Sequence, residues 1–251
     1  MTGQSLPAML AALAWMAAGT ERPVPFRAGE TLTFDVSWSQ YLTAGSATVT
    51  VRDKRPSFDS TAYYIVAEGR PTALLSRFYT LYYKADTLLD AFTLLPQRGS
   101  IYSQEGSRTR MKAIRFDQAA RRGVFEVTTS TVVKKELALP ARAQDPLSAI
   151  YVLRTRRLTL GGTLTMPVVE DGTVYRMDAK VVAQEVVATP FGRLAAWKIV
   201  PTLFDERGTP TGQALGLWIS DDARKLPLKL EADLPVGHFV IVLRDARYMR
   251  M

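Results

Sequence analysis

The chain has 251 residues, of which 47% are hydrophobic and 22% are charged, and its formal net charge is +8. This hydrophobic content is sufficient for a folded core and excludes a disordered chain. There is no cysteine and only one histidine, His238, which excludes disulfides, thiol nucleophiles, zinc fingers and iron–sulfur clusters. The excess of basic residues is spread along the sequence, so it favours anionic partners in general or simply solubility.

The N-terminal region contains an apolar segment, Leu6–Gly19, that is too short to span a bilayer comfortably. It resembles the hydrophobic region of a signal peptide, with small residues at Ala17–Gly19 where cleavage usually occurs. No Lys or Arg precedes it, so an amphipathic N-terminal helix or an uncleaved anchor is the alternative. We predict a signal peptide over residues 1–20, a linker over 21–25 and export to the periplasm, with no transmembrane span in the mature chain.

From residue 26 onward the chain alternates between apolar and polar residues with a period of two, which is typical of half-exposed β-strands. In the first such strand Leu32, Phe34 and Val36 share one face. Asp171-Gly172 predicts a tight hairpin turn, because both residue types tolerate positive φ. About a dozen antiparallel strands follow one another without a dividing linker. The sequence therefore predicts a single β-rich domain over residues 26–251.

One segment, Asp145–Arg156, predicts a helix. Asp145 is a suitable N-cap, and Pro146 suits the first helical position. Basic residues crowd the C-terminal end, where positive charge matches the helix dipole. The residues between are almost all apolar, so the helix should be buried on most sides. The predicted fold is mainly β: a strongly curved sheet or open barrel packed around one buried helix at about 145–156.

Motifs for catalysis are weak in this sequence. The neighbouring carboxylates Asp221 and Asp222 would point to opposite faces of a strand, so they indicate a charged turn rather than a glycosidase pair. Phosphate-binding loops, dinucleotide fingerprints and nucleophile elbows are absent. No helix-turn-helix occurs, and the basic stretch Arg108–Arg115 lacks the aromatic signature of RNA-binding sheets. We therefore predict no catalytic residue, no cofactor, no metal ligand and no nucleic-acid partner.

Two sets of residues are candidates for binding. An aromatic set could line an apolar cavity, or simply belong to the core: Trp38, Tyr151, Trp197 and Trp218. A basic set at the end of the helix could contact phosphate or a lipid head group, or merely match the helix dipole: Arg154, Arg156 and Arg157.

Four stretches, in this order, resemble the bacterial exported family known as domain of unknown function 3108. They are Phe26–Phe34, Asp145–Tyr151, Thr189–Lys198, and Trp218–Asp222 leading to Leu226-Pro227. The resemblance covers nearly all of the chain after residue 25. It implies an exported, single-domain, mostly β protein, and it carries over no catalytic residue.

The leading hypothesis is a non-enzymatic periplasmic protein that binds an amphiphile or a cell-envelope partner, such as a lipid or an anionic envelope component. The alternative is a carboxylate-dependent hydrolase acting on envelope carbohydrate, with its acids drawn from Asp35, Asp86, Asp178 and Asp221. A purely structural envelope scaffold is a third hypothesis, and it predicts a filled interior. Whether the space beside the helix is hollow or filled distinguishes the first hypothesis from the third.

Overall fold

The computed structural model describes residues 20–38, 42–78, 80–190, 192–212, 215–234 and 237–248. The first 19 residues of the predicted signal peptide lie outside the described residues. In the described chain, eight strands precede the main helix: β1 (Glu30–Trp38), β2 (Leu42–Ser57), β3 (Ser60–Pro71), β4 (Leu81–Asp90), β5 (Pro96–Glu105), β6 (Arg108–Asp117), β7 (Arg122–Thr128) and β8 (Val132–Ala138). Seven strands follow it: β9 (Thr163–Glu170), β10 (Thr173–Thr189), β11 (Gly192–Phe204), β12 (Pro210–Thr211), β13 (Leu215–Ser220), β14 (Pro227–Leu234) and β15 (Gly237–Tyr248). The helices of this part of the chain are α1 (Ala73–Ser76) and α2 (Pro146–Arg154).

All fifteen strands belong to one antiparallel sheet. Their order is β8-β7-β6-β5-β4-β3-β2-β1-β15-β14-β13-β11-β10-β9, and the short β12 pairs with β11. The first and last strands pair with each other, from Glu30 opposite Tyr248 to Trp38 opposite Phe239. The two edge strands, β8 and β9, therefore come from the middle of the chain and flank α2 in the sequence.

The sheet curls until its two edges meet, without a strand ladder between them. One isolated bridge joins Gln144 to Val168. Lys135 donates from Nζ to the carbonyl of Gly172 at 2.8 Å. A buried cluster fills the space between the edges: Ile114, Phe116, Leu137, Leu139, Ala143 and Val169. We call this junction of β8 with β9 and the β9–β10 turn the seam. It makes the sheet an open barrel, which confirms the predicted fold class.

The start of α2 confirms the predicted cap. The Asp145 carboxylate accepts from the backbone amide of Ser148 at 2.9 Å, and the Ser148 hydroxyl accepts from the Asp145 amide at 2.9 Å. The hydroxyl of Thr87 in β4 donates to the same carboxylate at 2.7 Å. A Cβ atom on Gly99 in β5 would lie 3.2 Å from this carboxylate, so glycine allows the helix start to approach the sheet closely. The helix ends at Arg154, two residues before the predicted end.

The helix packs against the concave face of the sheet. Ala149, Tyr151, Val152 and Leu153 are buried in one cluster with side chains from both halves of the sheet, from Ile65 in β3 to Met177 in β10. A face that contacts one short helix from both halves must be concave. A second buried cluster joins β1, β13, β14 and β15 to the far end of the β10–β11 hairpin: Leu32, Phe34, Val187, Ala196, Trp218, Leu226, Leu228 and Leu243.

A fully buried ion pair fixes the end of α2 to the start of β1. Arg154 donates from both terminal nitrogens to the two carboxylate oxygens of Glu30, at 2.6 and 2.9 Å, and both side chains have 0% exposure. Its Nε donates to the carbonyl of Lys225 at 3.0 Å. Burial disfavours the charged form, but the hydrogen bonds to Glu30 and its negative charge outweigh this effect, and the pKa of Arg154 is raised. The pair closes one end of the concave face.

Candidate apolar binding groove

An open groove lies on the concave face beside α2. It contains about 720 Å³ of empty space, including its open side. The helix contributes Leu147, Ile150 and the ring of Tyr151. The strands contribute mainly apolar side chains, among them Leu32, Phe34, Ala47, Ala67, Leu217 and Ile241. The helix therefore does not fill the concave face, and the space beside it is hollow.

Strand register explains why these side chains line one surface. Residues paired across neighbouring strands lie on the same face of a sheet. Leu217 pairs with Leu230, which pairs with Ile241. Phe34 pairs with Ala47. A row of apolar side chains thus crosses the sheet beneath α2, and the alanines leave space where larger residues would pack.

A second hollow, with about 960 Å³ of empty space including its open side, continues the groove along the same strands. Its lining includes Val36, Gly45, Gly69 and Phe239. Each of these residues lies two positions beyond a residue of the first hollow on the same strand, and therefore on the same face. From Leu32 to Val36 the two hollows together span about 13 Å along β1. We call them the apolar groove.

A smaller, more polar hollow adjoins the apolar groove at the start of α2. Leu147 lines both spaces, and Ala67 of the groove pairs with Ala85 of this hollow. Burial raises the pKa of Asp145, although its hydrogen bonds offset part of this effect. The pKa of Glu170 is also raised, by burial and by the neighbouring Asp171. The apolar groove therefore has a polar neighbour at one side.

The structure separates the four aromatic candidates. Tyr151 contributes its ring to the groove, and burial raises the pKa of its hydroxyl. Trp38 pairs with Phe239, so it shares the concave face, and it is 46% exposed at the open end of the groove. Trp197 instead donates from Nε1 to Asp221 at 2.8 Å. Trp218 is buried and donates to Glu185. The last two residues are not part of the groove lining.

The three arginine candidates do not form one anion site. Arg154 forms a buried ion pair with Glu30 and is not accessible to a ligand. Arg156 is half-buried, and its pKa is lowered by burial and by the nearby Arg142 and Arg22. Arg157 is exposed and shares a separate cleft with Arg156. These arginines are close together in the sequence, but their side chains lie in different surroundings.

The four carboxylates considered for hydrolysis also lie apart. Asp35 pairs with Arg244 at 2.9 Å, and Asp178 accepts from Thr165 at 2.8 Å. Asp86 is buried beneath Arg98, which donates to it at 2.7 Å. Asp221 lies in the turn after β13 and accepts from the indole of Trp197. Each carboxylate has its own local partner. In the described part of the chain, no group of three or more acidic or histidine side chains could hold a metal ion.

A model of a protein family of unknown function, DUF3108, matches residues 33–244. The chain belongs to the DUF3108 family. This confirms the family resemblance of the four sequence stretches. No curated protein matches the chain significantly.

Several solved structures are similar to this DUF3108 chain. A β-barrel-like protein of the family DUF1849 from Brucella abortus has a TM-score of 0.55 at 11% identity, covering 90% of this chain and 100% of that one. A proposed lipoprotein from Parabacteroides distasonis has a TM-score of 0.38 at 7% identity, covering 91% and 100%. A proposed exported protein with a YmcC-like fold from Bacteroides fragilis has a TM-score of 0.37 at 11% identity, again covering 91% and 100%. Only the first likeness bears on the fold, and it supports a barrel-like sheet.

In the described part of this chain, no helix has the length and apolar character needed to cross a membrane.

Sequence reasoning missed most of the groove in this DUF3108 chain. It chose aromatic residues, whereas the lining depends on Ala47 and Ala67 in the sheet and on Leu147 and Ile150 in the helix. A usable signal was present. Small residues alternate with polar ones in β2 and β3, at positions where core-facing strands usually carry large apolar side chains.

Proposed function

We propose that the protein binds an amphiphile whose apolar chain lies in the groove beside α2, without catalysing a reaction. The observation that supports this most directly is the hollow lined by apolar side chains on the concave face. Leu147 and Ile150 in α2 are only half-buried, although they face the sheet. An apolar chain in the groove would remove these surfaces from water. Each methylene group of the chain that becomes buried would contribute about 0.8 kcal/mol to the binding free energy.

The shape of the groove favours a chain-like ligand over a compact one. It follows the strands for about 13 Å, and in its first hollow it lies between the β-sheet and α2. The lining of this groove beside α2 is apolar. Binding sites for apolar ligands commonly combine such a lining with a few polar groups at their ends. The polar hollow near Asp145 adjoins the groove at the position where a polar group of the ligand would lie.

A substitution that fills the groove tests this proposal. Ala67→Leu adds three carbon atoms to the groove wall and should displace about two methylene groups of a bound chain, which corresponds to at least a tenfold weaker affinity. The measurement is fluorescence titration with cis-parinaric acid, a single-chain fatty acid. Thermal unfolding should show that the variant remains folded.

Ala188→Leu provides the matched control, because it adds the same atoms at an exposed position of β10. It should leave the affinity unchanged. If the wild type does not bind cis-parinaric acid, or if both variants bind it equally well, the proposed function is wrong.

We also propose that the mature protein is a single domain, beginning near residue 21, in the periplasm. This rests on the signal-peptide pattern of Leu6–Gly19 and on the absence of a linker after residue 26. N-terminal sequencing of protein from a cell-envelope fraction should give a chain that begins after Gly19. Recovery of cytosolic protein with an intact Met1 would contradict export.

A further inference from the structure

A segment with exposed apolar side chains lies beside the open end of the groove. Phe78 is 82% exposed and Leu74 is 63% exposed. Both belong to α1 or to the turn that follows it, and none of the four residues of α1 is buried. The amide of Thr72, just before α1, donates to the carbonyl of Ala44 in β2 at 2.9 Å. This bond places the segment next to Gly45, where the lining of the groove ends.

Basic side chains lie beside these apolar residues. The amide of Gly106, at the tip of the β5–β6 hairpin, donates to the carbonyl of Thr80 at 2.8 Å, so the hairpin tip lies next to the α1 segment. Arg108 and Arg110 are exposed on this hairpin and form no ion pair within the described chain, and Arg77 is likewise exposed. The acidic groups at this end are engaged locally: Glu105 accepts from Tyr83, and Asp233 bonds to His238 at 2.6 Å.

We propose that this end of the barrel docks on an anionic phospholipid membrane. The docking surface consists of Leu74, Arg77, Phe78, Arg108 and Arg110, and we call it the mouth surface. An exposed apolar side chain gains by entering the boundary of the acyl chains, while arginines gain by approaching anionic head groups. The proposal rests on the proposed function, because docking would bring the open end of the groove against the lipid from which an amphiphile is taken.

The arrangement of the mouth surface favours a membrane over a protein partner. Leu74 and Phe78 are four residues apart and enclose Arg77, so apolar and basic groups alternate over a short segment. At a lipid–water interface each type of side chain reaches its own phase. A protein interface of ordinary size would instead need a broad complementary surface with an apolar centre.

Vesicle co-sedimentation tests this proposal. Wild-type protein should bind vesicles containing 30% phosphatidylglycerol in phosphatidylcholine, should bind pure phosphatidylcholine vesicles less, and should lose affinity as salt concentration rises. The double variant Leu74→Ser/Phe78→Ser should bind the anionic vesicles at least tenfold more weakly. The double variant Arg108→Gln/Arg110→Gln should also lose at least tenfold, since each arginine near the surface contributes about fivefold.

The opposite end of the barrel supplies matched controls. Phe58 is 55% exposed in the β2–β3 turn, roughly 40 Å along β2 from Ala44. Arg121 and Arg122 are exposed in and after the β6–β7 turn, at the other end of β6 from Arg108. Phe58→Ser and Arg121→Gln/Arg122→Gln should both leave vesicle binding unchanged. Equal losses in the mouth variants and the control variants would overturn the proposal, as would wild-type protein that does not bind vesicles and requires a protein partner instead.

Failure of docking can be distinguished from failure of the proposed function. Mouth variants should keep the wild-type affinity for cis-parinaric acid supplied from solution, and Ala67→Leu should keep wild-type vesicle binding. A wild type that binds cis-parinaric acid but not vesicles would remove the docking proposal alone. A wild type that binds vesicles but not the fatty acid would remove the proposed function alone.

Discussion

At the residue scale, Asp145 combines two effects that oppose each other. Its carboxylate caps α2 by accepting from Ser148 and also accepts from Thr87. Burial nevertheless raises its pKa above the ordinary value of 3.8. The folded state therefore favours the protonated form more than the unfolded state does. The contribution of this group to stability is fully present below about pH 3.8 and is lost as the pH rises through the raised pKa.

Replacing Asp145 by asparagine should remove this pH dependence while retaining the cap. Asparagine caps helices as well as aspartate does and does not titrate. The Thr87 hydroxyl also lies 3.3 Å from the carbonyl of Arg98, so in the variant it can donate there instead and accept a hydrogen bond from the new amide. The stability of Asp145→Asn relative to the wild type should therefore increase between pH 4 and pH 7. Urea unfolding at several pH values measures it.

Asp145→Ala separates the cap from the charge. This variant loses the cap at every pH and should be destabilised by about 1 kcal/mol for that reason. Like Asp145→Asn, it has no carboxyl group at this position to titrate. Parallel pH profiles for the wild type and for Asp145→Asn would show that the carboxylate does not carry the pH dependence.

The residues that shape the groove show why it is hard to predict from sequence. Leu147, Ile150 and Tyr151 all belong to an apolar helix, and sequence reasoning places all of them against the core. In the structure Tyr151 is 2% exposed, whereas Leu147 and Ile150 are half-buried beside empty space. Packing and lining both require apolar side chains. The difference depends on the size of the residues opposite, Ala47 and Ala67, and that pairing becomes visible only with the register of the strands.

At the element scale, the sequence predicts the features that depend on neighbouring residues, such as helix caps and tight turns. The N-cap of α2 and the Asp171-Gly172 turn depend on residues close together in the sequence, and both are present as predicted. The four-residue helix α1 is not predicted, because it is too short to show a helical period. Long strands are less regular than strict alternation implies. A register shift between Val181 and Ala183 interrupts the ladder of β10 with β11, and such bulges depend on the partner strand.

At the scale of the whole molecule, the sequence predicts the class of the sheet but not its order. The alternating strands and one apolar helix correctly predict an open barrel. The pairing of β1 with β15 is a contact between the two ends of the chain, and alternation alone does not determine which strand pairs with which. The position of the seam follows from that pairing, because it makes β8 and β9 the edges.

The seam closes the barrel with a small number of contacts. Lys112 pairs with Asp171, and Lys135 donates to the carbonyl of Gly172. Gly172 has a φ of +69°, and a Cβ atom at this position would lie 2.6 Å from the ring of Phe125 in β7. Glycine is therefore required here both for the backbone conformation and for the close approach of the two edges.

Gly172→Ala should loosen the seam specifically. Alanine would force the β9–β10 turn away from Phe125, at a cost of about 1–3 kcal/mol beyond the strain of positive φ. Gly208→Ala is the control, because Gly208 has a φ of +76° and no atom within 4 Å of a Cβ. The free energy of unfolding of this control should fall only by the cost of the positive-φ strain that both positions share, about 1 kcal/mol.

Hydrogen exchange followed by mass spectrometry should show faster exchange in β8 and β9 for Gly172→Ala, with β2 and β3 unchanged. Because no strand ladder joins the edges, these contacts should open before the rest of the sheet. Equal exchange in the two variants would instead show that the curvature of the sheet holds its edges together without them.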